Sequence, residues 1–392
     1  MKNITLILTF VSSFAIGQNI KITSDFPGGN ILISKISKDS IVLNPDWHLA
    51  SREWFHWFFK ASNVNGKKVT FKFIQNNVFG KYGPAYSINN VDNWKWYGEN
   101  RIEVNSFTYK FNEKDTIAYF SVSIPYTEKY FRKFYSQLNN SHLAPIDTLC
   151  YSKENRAIEK ILISPTINES KYKVVITTRH HASETSANYV LEGIIESILN
   201  ESDLEYLRDN IEFLIVPFMD KDGVENGEQG KGRIPRDHNR DYDNISIHRS
   251  TNALRTFVPQ WGGGKVAIAL DIHSPFITGE GHEIIHLVGS DDFINQQNQI
   301  KFSKLLEKNS KGEMKSYHTN FLPYGESWNT AKNVTEGSPF SSWGLTLEDI
   351  SLSTTLEVPY ADISGVPFSK DGARVFGKAV AYSIMEYLKS IN

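Results

Sequence analysis

The chain has 392 residues, of which 40% are hydrophobic and 22% are charged, so it can bury the cores of two ordinary domains. Its formal net charge is only −2, which disfavours a nucleic-acid-binding protein, because such proteins usually carry a basic surplus. The single cysteine, Cys150, excludes an intrachain disulfide and a cysteine-based metal cluster.

The first residues predict export. Lys2 precedes an apolar run over 4–16, and Ala15-Ile16-Gly17 supplies small residues for cleavage, so residues 1–18 are typical of a signal peptide. The alternative is a buried strand or helix at the N-terminus. Neither this run nor any later one is long enough for a confident membrane anchor, so no stable membrane insertion is expected. We therefore predict a secreted or periplasmic protein.

Residues 19–140 are predicted to form an all-β sandwich domain. Short runs rich in β-branched and aromatic residues recur through this segment, and Asn65-Gly66 between two of them predicts a hairpin. These runs cover 31–33, 54–60, 69–73 and 117–124. The many aromatic residues favour a sandwich core and an interface to the next domain, with a carbohydrate-binding surface as the alternative.

Residues 141–392 change to an α/β pattern. Strands are predicted at 174–178, 213–218 and 266–272, and a helix with apolar residues at helical spacing is predicted over 186–199. The last segment, 371–391, predicts a terminal helix packed on the sheet. Strands that alternate with helices indicate a parallel or mixed sheet.

Three residues of this second segment are candidate metal ligands. His181 and Glu184 lie three positions apart between a strand and a helix, so one turn can direct both side chains at a common point. His273 ends the apolar strand after 266–272, and Asp271 is a candidate hydrogen-bond acceptor for a site histidine. The alternatives are a surface His–Glu pair and a core histidine bonded to a backbone carbonyl.

The order of these motifs resembles the zinc carboxypeptidase (funnelin) family. Between the His181–Glu184 pair and His273 lie Asp222-Gly223, at the end of a strand segment, and Asn239-Arg240. The sandwich strands, with WFHWFFKASN among them, resemble the cytosolic-carboxypeptidase branch of that family. The resemblance implies an α/β fold: a mixed eight-stranded sheet flanked by helices and preceded by the sandwich.

The resemblance also implies a zinc site and a general base. It assigns one Zn²⁺ per chain to His181, Glu184 and His273, a set that matches the three protein ligands of catalytic zinc. Glu357, in the strand Thr354-Thr355-Leu356-Glu357-Val358, matches the catalytic glutamate that takes a proton from water. The alternative for Glu357 is an edge-strand residue that faces solvent.

The remaining matched residues concern substrate. Asn239 and Arg240 match the pair that binds the terminal carboxylate, which a guanidinium can hold through two hydrogen bonds. Arg233 matches the arginine that stabilises the developing oxyanion, although the spacing also allows Arg236. Tyr324 is the nearest counterpart of the family's mobile tyrosine, and the segment 336–343 is expected to shape the side-chain pocket.

Together these features predict a zinc metallocarboxypeptidase that hydrolyses the C-terminal bond of a peptide or protein. One alternative is a zinc amidohydrolase that acts on acyl amino acids or cell-wall peptides. The other is an inactive relative that binds glycans through the aromatic sandwich. The sequence does not reveal the preferred terminal residue or the oligomeric state.

Overall fold

The computed structural model of the protein describes residues 19–99, 102–165, 169–334 and 336–391. The predicted signal peptide, 1–18, lies outside these residues. In the described part, no helix has the length and apolarity needed to cross a membrane.

The N-terminal segment forms two facing five-stranded sheets. One sheet has the strand order β1-β4-β10-β6-β7, and the other has the order β2-β3-β5-β9-β8. The strands are β1 Lys21–Thr23, β2 Leu32–Ile36, β3 Ser40–Asn44, β4 Phe58–Ser62, β5 Lys68–Phe73, β6 Ala85–Ile88, β7 Lys95–Trp96, β8 Ile102–Glu103, β9 Ser106–Lys110 and β10 Ile117–Ser121.

The predicted hairpin at Asn65-Gly66 is wrong. Gly66 does adopt a turn conformation, with φ at 65°, but the strands on either side, β4 and β5, belong to different sheets. Crossing between the sheets sets Phe59 of β4 against Phe71 of β5, with ring centroids 5.4 Å apart. Burial of both rings in one core therefore decides the pairing, which a local turn signal cannot reveal.

Aromatic side chains fill the space between the two sheets. Trp57, Phe59, Phe71 and Phe120 are all inaccessible to solvent. Trp96 is half-buried and donates its indole N–H to the carbonyl of Phe368 in the second segment, at 2.8 Å. The aromatic residues thus serve the core and the contact with the next segment, as the sequence favoured.

The second segment is built on a seven-stranded mixed sheet with the order β11-β12-β14-β13-β15-β17-β16. The four strands β14, β13, β15 and β17 run parallel, and the flanking pairs are antiparallel. The strands are β11 Ile146–Tyr151, β12 Ala157–Ile163, β13 Tyr172–Thr178, β14 Ile211–Val216, β15 Val266–His273, β16 His286–Val288 and β17 Leu352–Glu357. A short ribbon follows, β18 Asp362–Ile363 with β19 Val366–Pro367.

Helices cover both faces of this sheet. One apolar cluster joins it to α2, α6 and α8, and another joins its opposite face to α5 and α7. The helices are α1 Glu128–Gln137, α2 Ser186–Asn200, α3 Glu205–Asn210, α4 Lys221–Asn226, α5 Arg249–Gly262, α6 Phe293–Asn309, α7 Phe340–Gly344 and α8 Lys370–Ser390. Because both faces are covered, the central strand β15 is buried along its whole length.

Two glycines let α2 and α8 approach closely. A Cβ at Gly193 of α2 would overlap the backbone of Arg374, and one at Gly377 of α8 would lie 2.9 Å from Gly193 Cα. The close contact packs α2 against α8, and α2 begins at Ser186, two residues after Glu184.

The predicted fold class is confirmed: an α/β unit with a mixed sheet follows a β-rich segment. The described sheet has seven strands where eight were expected. The predicted domain division, 19–140 and 141–392, stays a prediction. Tyr126, which precedes α1, donates its hydroxyl proton to Glu192 of α2 at 2.8 Å, so the two segments share buried contacts.

Candidate metal centre and substrate cavity

The parallel strands deliver the candidate ligands to one edge of the sheet. β13 ends at Thr178, and the turn after it carries His181 and Glu184. β15 ends at His273 and β17 ends at Glu357, and these two residues are register partners. The carboxyl ends of parallel strands share one edge, where sites in such sheets gather.

Three donor groups converge there with the dimensions of a zinc site. His181 Nδ1 lies 2.8 Å from Glu184 Oε1, His273 Nδ1 lies 2.8 Å from Glu184 Oε2, and the two nitrogens lie 3.2 Å apart. A tetrahedral zinc ion with bonds of 2.0–2.1 Å holds its donors about 3.3 Å apart. Two imidazoles and a carboxylate are also ligands that zinc prefers, so the set fits the metal.

Asp271 orients His273 toward this point. Its Oδ2 lies 2.5 Å from His273 Nε2, which leaves Nδ1 of the same ring directed at Glu184. The other oxygen accepts from Thr177 at 2.8 Å and contacts His180 Nδ1 at 2.9 Å. A carboxylate behind a ligating imidazole fixes its tautomer and orientation.

His180, Asp271 and His273 form a second cluster that is close enough to hold a metal. In this cluster, however, both nitrogens of His180 are engaged, one by Asp271 and the other by the Tyr242 hydroxyl at 2.6 Å. His180 is completely buried, whereas His181 and His273 line an open cavity. The second cluster is therefore a satisfied support for His273, and the set with His181 and Glu184 is the accessible one.

The pKa shifts show how strongly this centre attracts positive charge. Burial lowers the pKa of His273, but the carboxylates of Asp271 and Glu184 more than reverse this and raise it well above its ordinary value. Burial raises the pKa of Glu184, but His181 and His273 outweigh it and hold that pKa well below the usual range. The carboxylates therefore stay charged and favour a cation among them.

Glu357 lies beside this centre without a hydrogen-bond partner for its Oε2 among the described residues. It is 5% exposed and lines the same cavity as His181 and His273. Burial raises its pKa above the usual value, an effect that His273 opposes and Glu184 reinforces. A buried carboxylate with a free oxygen is suited to accept a proton from a substrate or from water.

The cavity has a volume of about 320 Å³ and is also lined by Asn239 and Arg240. Asn239 is fixed, because its Oδ1 accepts from the backbone N–H of Phe340 at 2.9 Å. The Arg240 guanidinium donates to the backbone carbonyls of Asn239 and Asn333, at 2.8 and 3.4 Å. These partners are neutral, so the guanidinium keeps its charge available to an anion.

A family profile described as zinc carboxypeptidase matches residues 133–335, which is just over half of the chain. The chain belongs to the zinc carboxypeptidase family.

Curated relatives of this zinc carboxypeptidase family member are cytosolic carboxypeptidases. It is 33% identical to cytosolic carboxypeptidase 2 of Xenopus tropicalis over 150 residues, which is 36% of this chain and 16% of that protein. It is 25% identical to human cytosolic carboxypeptidase 6 over 304 residues, 73% of this chain and 58% of that protein. The chain thus spans less than two thirds of these relatives.

Solved structures share the fold over nearly the whole chain. A metallo-carboxypeptidase from Burkholderia cenocepacia superposes with a TM-score of 0.77 at 18% identity, covering 96% of this chain and 100% of that one. A metallo-carboxypeptidase from Pseudomonas aeruginosa, in complex with (2-guanidinoethylmercapto)succinic acid, superposes with a TM-score of 0.73 at 18% identity. The match covers 95% of this chain and 100% of that one. The shared architecture therefore includes the β-rich N-terminal segment.

The prediction of a secreted or periplasmic protein was wrong. The curated relatives are named as cytosolic proteins, and this finding overturns it. The pattern that suggested export is an apolar run near the N-terminus, and such a run is also typical of a buried strand or helix. The sequence pattern alone therefore did not distinguish an export signal from such an element.

The zinc carboxypeptidase fold brings most of the predicted site residues to one cavity. His181, His273, Glu357, Asn239 and Arg240 line it, and Glu184 lies behind the two histidines. Tyr324 and much of the segment 336–343 line it as well.

Arg233 is not brought to this cavity. Its guanidinium forms ion pairs with the carboxylates of Asp220 and Glu228, and it lines a different cavity beside His238. Arg236 is also elsewhere, paired with Asp241 at 3.0 Å. Neither arginine is therefore free to meet a substrate oxygen beside His273.

Sequence reasoning missed Lys231, which does line the cavity with His181 and Glu357. The only local signal was its position, one residue after Gly230 and two before the arginine that was chosen. A lysine in a glycine-rich loop is ordinary in sequence, and only the path of the loop gives it meaning.

Proposed function

We propose that this protein is a zinc-dependent carboxypeptidase that hydrolyses the C-terminal bond of a peptide or protein. One observation carries the proposal: a single cavity combines a buried His–Glu–His donor set, a glutamate whose Oε2 lacks a hydrogen-bond partner, and an arginine that forms no ion pair with a carboxylate, both within the part of the chain that the structure describes. The three features correspond to a metal, a base and a site for a free carboxylate.

His181, Glu184 and His273 would hold one zinc ion. When bound, zinc supplies a Lewis acid for the carbonyl and lowers the pKa of water. Asp271 keeps His273 in the orientation that ligation requires, through its 2.5 Å contact with Nε2.

Arg240 and Asn239 would fix the substrate through its terminal carboxylate. A guanidinium binds a carboxylate through two parallel charge-assisted hydrogen bonds, which sets both position and orientation. A substrate held in this way presents the bond next to its terminal residue to Glu357. An internal peptide bond lacks the free carboxylate, so the site favours an exopeptidase.

Glu357 would move the proton. As the oxygen of water bonds to the carbonyl carbon, the carboxylate of Glu357 accepts the proton that water loses. The same proton then passes to the leaving nitrogen as the C–N bond breaks, and the products are a shortened peptide and a free amino acid. The unpartnered Oε2 of Glu357 supports this role, since no other described group competes for it.

The decisive experiment compares a peptide with its C-terminally amidated form. We expect zinc-loaded protein to release the terminal residue from the free acid and to be at least about tenfold slower on the amide, which offers Arg240 no charge. Chelation and Glu357→Gln should each abolish most of the release. Equal turnover of acid and amide, or activity indifferent to the chelator, would contradict the proposal.

A further inference from the structure

We propose that Lys231 supplies the positive charge that stabilises the scissile carbonyl oxygen as it becomes negative. This inference rests on the proposed carboxypeptidase function and assigns to a lysine the role that Arg233 was expected to have.

The backbone before Lys231 is fixed against the ligand turn. Gln229 accepts from the backbone N–H of Ser183 at 3.2 Å and donates its side-chain amide to the Ser183 hydroxyl at 2.8 Å. Gly230 has φ at 81°, and a Cβ there would overlap the amide of Ala182 and lie 2.9 Å from His181 Cα. Only glycine allows this approach, and it delivers the next residue, Lys231, to the mouth of the metal centre.

Lys231 lines the same cavity as Glu357. Its charge acts electrostatically on Glu357 and also on His282, which is half-buried. Arg240, the other cation that lines the cavity apart from the histidines, donates to the backbone carbonyls of Asn239 and Asn333. The cavity therefore offers two cations to the anionic groups of a substrate.

The charges of the reaction match this arrangement. A peptide substrate brings one permanent negative charge, its terminal carboxylate, and develops a second on the carbonyl oxygen during attack. Arg240 suits the planar carboxylate, and the compact ammonium of a lysine suits a single oxygen. A preorganised cation at the site of developing charge is a major source of rate enhancement.

The neighbouring cations do not have this freedom. Lys221 is paired with Glu128 and Glu159, and Arg233 with Asp220 and Glu228. No ion pair is formed by Lys231 within the described parts of the chain. Its ammonium is thus free to meet a substrate oxygen.

The kinetic test uses Lys231→Met, which keeps an unbranched side chain one atom shorter and removes its charge. We expect kcat to fall by about 10²–10³-fold with KM changed only a few-fold, because the interaction forms mainly in the transition state. Lys231→Arg should restore part of the rate. Lys332→Met, at an exposed lysine that does not line the cavity, serves as the control for lost surface charge. An unchanged kcat in Lys231→Met would overturn the proposal.

A competing role for Lys231 is recognition of an acidic side chain of the substrate. That role predicts a rise in KM for peptides with aspartate or glutamate near the C-terminus and no effect on neutral peptides. Parallel measurements on acidic and neutral peptides separate the two, and a purely acidic-selective effect on KM would refute the oxyanion role.

A binding measurement on zinc-free protein adds a readout that needs no turnover. 2-Benzylsuccinate carries one carboxylate for Arg240 and a second where the carbonyl oxygen would lie, whereas 3-phenylpropanoate carries only the first. Measured by calorimetry, Lys231→Met should raise the dissociation constant of 2-benzylsuccinate by about tenfold, which corresponds to the loss of one charge-assisted hydrogen bond. The dissociation constant of 3-phenylpropanoate should stay unchanged. If the variant binds both ligands more weakly by the same factor, or binds both as tightly as the parent protein does, the assignment is overturned. A wild-type protein that binds as expected but releases no residue from peptides would instead count against the carboxypeptidase function.

Discussion

The stability of the protein should depend on zinc, and the size of the effect can be worked out. At free zinc about 1,000-fold above its dissociation constant, binding to the folded state adds about 4 kcal/mol to the free energy of unfolding. An unfolding entropy of about 2.1 cal/mol/K per residue gives roughly 0.8 kcal/mol/K for 392 residues. The quotient predicts that Tm rises by about 5 °C when chelated protein is loaded with zinc, as measured by calorimetry.

Two matched variants test whether the expected residues hold the ion. Glu184→Gln and Glu357→Gln make the same chemical change at the same edge of the sheet, but only Glu184 lies within 2.8 Å of both candidate histidines. We expect Glu184→Gln to lose most of the zinc-dependent rise in Tm and Glu357→Gln to keep it. Metal analysis should give one zinc per chain for the parent protein. The assignment of ligands would be refuted if Glu184→Gln kept the full zinc-dependent rise in Tm, or if both variants lost the same part of that rise.

Three further results are expected. Glu357→Gln should lower kcat by at least about 10²-fold while retaining zinc. Because burial raises the pKa of Glu357, kcat/KM of the parent protein should begin to fall with decreasing pH at a pH above the ordinary pKa of glutamate. A kcat/KM that stays constant to a pH below that pKa would contradict the role of Glu357 as the base. Arg240→Lys should reduce kcat/KM by about tenfold through loss of the two-point carboxylate contact, and an unchanged value would show that the guanidinium is not the anchor. Burial, assisted by Arg179, lowers the pKa of His56 to about 3, so the unfolded chain binds a proton below about pH 6.5 that the folded chain does not, and stability falls as pH decreases. Urea unfolding measures the free energy of unfolding at about pH 7 and at about pH 4. The decrease in this free energy between the two pH values should be about 3 kcal/mol smaller in His56→Phe than in the parent protein. Equal decreases would show that His56 does not cause the pH dependence.

Much of the centre was predictable because its signals are local. The three-residue spacing of His181 and Glu184 places both on one turn, and the apolar run before His273 marks the end of a buried strand. Glu357 has the same signal, a carboxylate that closes an apolar strand. Parallel strands then bring their carboxyl ends together, so residues far apart in the chain were expected to meet, and the structure places them as register partners or neighbours.

The structure differs from two expectations where long-range contacts decide. The Asn65-Gly66 turn was expected to pair its flanking strands, but the aromatic core draws β4 and β5 into opposite sheets. Arg233 was expected at the active centre, but the buried carboxylates of Asp220 and Glu228 hold its guanidinium elsewhere. Neither set of partners can be identified by spacing along the chain.

The sequence by itself determined the chemical types at the centre and the strand ends that carry them, because periodicity and strand termini are properties of short segments. Only the tertiary structure decided which loop cation lines the cavity together with Glu357. In the loop from Gln229 to Arg233, backbone packing against His181 and Ala182 directs Lys231 inward, while ion pairing turns Arg233 away. The orientation of a loop side chain follows from the charges and atoms that surround it in space, and those come from several distant parts of the chain.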